Sequence, residues 1–129
     1  MKLQTLIESQ VKIIDTIINY LNTILKLLLD SDNELLTQTI YETIGQIIRF
    51  TDIVIDSFPN LLIGDQQYIA HRKNLIYLFD NVLQSWASFF VYPDEFIKHW
   101  NIFLYEWNES KNYLLSFDQE VHTFYLSLN

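Results

Sequence analysis

The sequence predicts an all-α protein, an up-down-up-down four-helix bundle with a long C-terminal helix. Three observations predict it. Only two glycines and two prolines punctuate 129 residues, far fewer than the turns of a β-rich chain require. Apolar residues recur at alternating intervals of four and three along four stretches, which places them on one side of a helix. The polar breaks between these stretches are short, so consecutive helices become antiparallel neighbours in a single helical-bundle domain spanning 1–129.

The first helix is expected over about 3–29. Leu3, Ile7, Gln10, Ile14, Ile17, Leu21, Ile24 and Leu28 form a core stripe with one polar member. Two more rows, Val11, Ile18, Leu25 and Leu6, Ile13, Tyr20, Leu27, widen it beyond a two-stranded seam, so the helix needs at least two neighbours. Ser31 followed three residues later by Glu34 reads as a capping box opening a second helix, about 33–57. Its apolar face is Leu36, Ile40, Ile44, Ile47, Ile48, Thr51, Ile55 and Phe58, and Pro59 closes it. Isoleucine and threonine are weak helix formers, so burial has to supply most of its stability.

A third helix, about 66–91, carries Tyr68, Arg72, Leu75, Phe79, Val82, Trp86 and Phe89 in step. Pro93 followed by Asp94 and Glu95 suits the first turn of a fourth helix, about 94–127, with proline near the start and acids at the positive end of the dipole. Phe103, Trp107, Ser110, Leu114, Phe117, Val121, Phe124 and Leu128 keep the spacing, which implies one rod of about 33 residues, or about 50 Å, with 108–112 as the place where it could break.

Composition narrows the chemistry. Sixteen acidic against eight basic side chains give a formal charge of −8, a field that repels phosphate backbones and anionic lipid, so neither nucleic acid nor membrane is expected as a partner. The longest stretch without a charge, 81–93, is too short to cross a bilayer, and Glu8 interrupts the N-terminus before an apolar run of signal-peptide length; a cytoplasmic protein is the expectation. Cysteine is absent, which removes disulfides, thiolate metal sites and thiol nucleophiles.

No catalytic motif stands out. Gly45 and Gly64 are isolated, so no phosphate-cradling loop forms, and no serine lies in a G-x-S-x-G elbow. Di-iron bundles use Glu-x-x-His, and no acid stands three residues before a histidine. Glu95 with His99 and Asp118 with His122 are four apart, which reads as solvated pairs on polar faces. His71, Arg72 and Lys73 are the one basic cluster. A phosphate-accepting histidine of the phosphotransfer kind would be followed by Lys-Gly and small residues, whereas Arg72, Lys73 and Asn74 follow here. Arg72 instead suits the end of the core stripe, covering it with its aliphatic stem. The polar members of the stripes are Gln10, Thr51, Arg72 and Ser110. No metal, no cofactor and no enzymatic activity is expected; the alternative is a small-ligand or metal-binding bundle using Glu95, His99, Glu106 or His122.

The surplus of aromatic residues around the third and fourth helices points to a non-catalytic protein-interaction module. Phe90, Tyr92, Phe96, Trp100, Tyr105, Phe124, Tyr125 and Leu128 are the candidate binding surface, because helices apolar on several sides are covered on several sides. The partner is another protein or the chain itself, as a homodimer through the C-terminal helix. In size, acidity and helix layout the whole chain resembles the small helical chaperones of flagellar and related export systems, which implies an adaptor that binds a partner helix.

Overall fold

The computed structural model describes residues 3–60 and 66–116, and every regular element among them is helical. Helix α1 is Leu3–Asp30, α2 is Glu34–Asp56, α3 is Gln66–Trp86 and α4 is Pro93–Leu115. Contacts between helices fix their directions. Gln10, early in α1, donates from Nε2 to Ser57 just past α2, at 3.0 Å to the carbonyl and 2.8 Å to Oγ. Tyr41, early in α2, lies 4.7 Å from the rings of both Trp86 and Phe90 at the end of α3. Phe79 meets Phe103 edge to face at 4.9 Å across α3 and α4. Trp100 donates to Asn22 Oδ1 (2.8 Å) while Gln4 donates to the Leu115 carbonyl (2.8 Å), so α4 returns alongside α1. The four-helix bundle is therefore antiparallel around its whole ring.

The expected stripes are the core. Ile7, Ile14, Leu21, Ile24 and Leu28 are buried on α1, and the second row, Val11, Ile18 and Leu25, is buried with them. The third row is not: Ile13, Tyr20 and Leu27 face solvent, because α2 and α4 cover only two of the three rows. On α2 the core begins at Ile44 and continues through Ile48, Thr51, Val54 and Ile55, whereas Leu36, expected on the same face, is exposed.

Helix ends differ from expectation in two places. The cap of α2 is Asn33, whose Oδ1 accepts from the Leu36 amide at 2.9 Å; Ser31 sits too far upstream and instead donates to the Asn33 carbonyl. Helix α3 stops at Trp86, and residues 87–91 form tight turns in which Val91 and Tyr92 both donate to the Ser88 carbonyl. Helix α4 runs without a break through 108–112 and closes at Leu115, with Ser116 as its cap; the expected continuation to about 127 lies outside the described residues. Arg72 closes α2 from α3, donating to the carbonyls of Phe58 (2.9 Å) and Asp56 (3.1 Å), where a cation also suits the helix dipole.

One column of rings runs along α4. Phe96, Trp100, Phe103 and Trp107 follow one another with centroids 5.9 to 6.4 Å apart, and Trp86 joins the column at 4.8 Å from Phe96. Gly45 allows Trp86 to come this close to α2, since a Cβ at residue 45 would stand 3.1 Å from the indole Nε1. Trp86 is held by Tyr41, Phe89 and Phe96 and cannot give way. Gly45→Ala gains about 1 kcal/mol of helix propensity and meets crowding of about 1 to 3 kcal/mol. The expected net result is a loss of about 1 kcal/mol, read from the urea midpoint; a stabilised variant would refute this packing.

Two ionisable groups are shifted. Burial pushes the Tyr68 phenol above its ordinary value against the pull of Arg72, and the hydroxyl donates to the Pro59 carbonyl at 2.8 Å. Burial, then the carboxylates of Asp56 and Asp80, raise the Asp52 carboxyl above its ordinary 3.8. A raised carboxyl favours folding when protonated, so its contribution is lost as pH climbs through the folded value. Asp52→Asn is thus expected to stabilise the protein at pH 7 by no more than about 0.5 kcal/mol, since water screens the site. The gain should vanish below about pH 4 in paired melts of the two proteins.

Candidate functional site

The antiparallel layout brings the end of α1, the start of α2, the end of α3 and the start of α4 to one end of the bundle. Leu27 and Leu29, Leu35 and Leu36, and Phe90, Val91 and Tyr92 are all there, and each is more than half exposed. Asn33 and Ser31 hold one connection, and the Ser88 turn holds the other, so these side chains stand on ordered backbone. Exposed carboxylates stand at the same helix ends: Asp30, Asp32, Glu34, Asp94 and Glu95, against the ammonium groups of Lys26 and Lys98. An apolar patch within a polar rim has the anatomy of a binding face.

The expected surface divides. Phe90, Tyr92 and Tyr105 are exposed, with Tyr105 on the outer side of α4 away from the apolar end. Phe96 and Trp100 are buried members of the ring column and belong to the core, because they fall on the same four-three ladder as Phe103 and Trp107. Phe124, Tyr125 and Leu128, and with them the homodimer through the C-terminal helix, lie outside the described residues. Leu27, Leu29, Leu35, Leu36 and Val91 were not anticipated as surface; their signal is a position beside a helix end, where the neighbouring helices stop covering the stripe.

The polar residues also sort themselves. Glu95 and His99 approach to 3.7 Å on an open face. Asp118 and His122 lie outside the described residues. Glu106 enters a network that spacing does not reveal. The fully buried Ser110 donates its hydroxyl to Glu106 Oε1 at 2.7 Å, and His71 Nδ1 lies 2.7 Å from the Ser110 Oγ. A hydroxyl has one proton, so Ser110 accepts from His71, which assigns the imidazole proton to Nδ1. The ring is stacked on Tyr113 at 4.1 Å. A serine nucleophile gives its proton to the histidine; here the order of donors is reversed and the hydroxyl is enclosed. The network ties α3 to α4. On the other side of α4, Trp107 Nε1 donates to Asp15 Oδ1 at 2.7 Å, with Lys111 at 3.4 Å from that oxygen. Among the described residues no group of three or more metal-ligating side chains converges, and no helix is long and apolar enough to cross a membrane.

Comparison of the chain with protein-family models, curated proteins and solved structures returns no match.

Proposed function

We propose that this protein is a non-catalytic interaction module whose apolar end receives a basic amphipathic helix from a partner protein. The observation that carries the reading is the placing of seven large exposed apolar side chains at one end of the bundle, with five exposed carboxylates on the same helix ends. Burying them is favourable by about 25 cal/mol per Å² of apolar surface, and the acidic rim selects what does so. A second copy docked end to end would press acid against acid. A helix with leucine-like residues on one side and lysine or arginine on its flanks satisfies both the patch and the rim.

The test uses a synthetic amphipathic helix of leucine and lysine, labelled for anisotropy, with a leucine and glutamate peptide as control. The lysine peptide is expected to bind and the glutamate peptide not to. Leu35→Glu with Val91→Glu should weaken binding by about tenfold or more, about 1.4 kcal/mol, although it makes the protein more negative. If that variant binds as tightly as the parent, charge alone drives the association and the reading fails.

A further inference from the structure

The flank between α2 and α3 holds a cavity of about 620 Å³, of a size that suits a small molecule. Its wall includes Gly45, Arg49, Leu83, Trp86 and Glu42. Trp86 is buried, and its Nε1–H has no acceptor among the described residues. That N–H faces Gly45, and the Arg49 guanidinium comes within 3.9 Å of the point where a Cβ on Gly45 would stand. Arg49 is exposed and makes no hydrogen bond or ion pair with the described residues. Two donors, one of them cationic, thus converge on one stretch of wall, and neither is bonded to an acceptor among the described residues.

A buried donor without an acceptor costs free energy in every folded molecule, so the arrangement calls for a group that brings one. The guanidinium sits on a long, unrestrained stem and can swing aside to open the indole. A carboxylate has an oxygen for each donor. The charge of −8 and Glu42 in the same wall disfavour a bare anion, whereas an ammonium beside the carboxylate removes the net charge and pairs with Glu42. Leu83 and the stacked Tyr41 and Trp86 rings supply apolar contact. We infer that this cavity binds a free α-amino acid with an apolar side chain, its carboxylate on Trp86 Nε1 and Arg49, its ammonium on Glu42 and its side chain against Leu83. The site adjoins the partner surface through Tyr41, whose ring also meets Phe90, but the inference does not rest on that surface.

The experiment is a titration of the full chain, labelled with nitrogen-15, with phenylalanine, leucine and valine, following the three indole N–H resonances. The Trp86 resonance, assigned from Trp86→Phe, is expected to shift and saturate, while those of Trp100 and Trp107, already bonded to Asn22 and Asp15, stay in place. N-acetylphenylalanine and phenylalaninamide, each lacking one charge, should bind about tenfold more weakly or worse, and Arg49→Met should do the same to phenylalanine. Absence of a saturable shift with all three amino acids overturns the inference. So does equal binding of the charged and blocked forms, or undiminished binding by Arg49→Met.

Discussion

Trp107→Ala is expected to cost about 3 to 5 kcal/mol of stability, the range for removing a buried aromatic side chain. The ring is fully buried where α4 faces α1, and it stacks on Phe103 at 6.4 Å. Removing it leaves a cavity that α1 cannot fill, since Ile14 and Ile18 are already packed in the core. Trp107→Phe separates the two parts of the effect. It keeps most of the ring and takes away the N–H that Asp15 accepts, and Asp15 is open enough to find water, so about 1 kcal/mol is expected. Urea unfolding followed by far-ultraviolet circular dichroism measures both. An alanine variant within about 1 kcal/mol of the parent would contradict the burial of this ring against α1.

Ser110→Ala is the second large effect, with an expected loss of about 1 to 3 kcal/mol for a change of one oxygen. The methyl group still fills its place, so the loss reports the hydrogen bonds alone. Glu106 loses its donor and His71 loses its acceptor, and these two stand 3.5 Å apart, too far to replace what the hydroxyl gave. A double-mutant cycle with His71→Phe, which preserves stacking on Tyr113, should return a coupling energy of about 0.5 kcal/mol or more. Additive losses would mean that the three residues are neighbours without being a network.

The helices were legible because their spacing is a one-dimensional signal. The ladder Phe96, Trp100, Phe103, Trp107, Ser110, Leu114 is buried throughout, and the same ladder shows which aromatics lie outside it: Tyr92 and Tyr105 are off the rungs and exposed. Counting aromatics by density, without asking which rung each occupied, put Phe96 and Trp100 on the surface. The row Ile13, Tyr20, Leu27 has perfect sevenfold spacing and still faces water, since periodicity gives the width of an apolar face and not how many neighbours cover it. The polar network was illegible for a different reason. His71 and Ser110 are 39 positions apart, and their meeting is set by the register of α3 against α4, which no local pattern encodes. The apolar end has the same origin, being a property of where four helices stop together.

The ring column along α4 also makes the protein its own optical gauge. All three tryptophans belong to it or donate into the seam beside it, so their excited states couple through rings only a few ångström apart. The near-ultraviolet dichroism and the emission of the protein are therefore collective signals of the α3 and α4 packing. Light absorbed anywhere in the column reports whether those two helices are still locked together, and a loosened state that kept its helices would go dark in that band while its far-ultraviolet spectrum stayed unchanged.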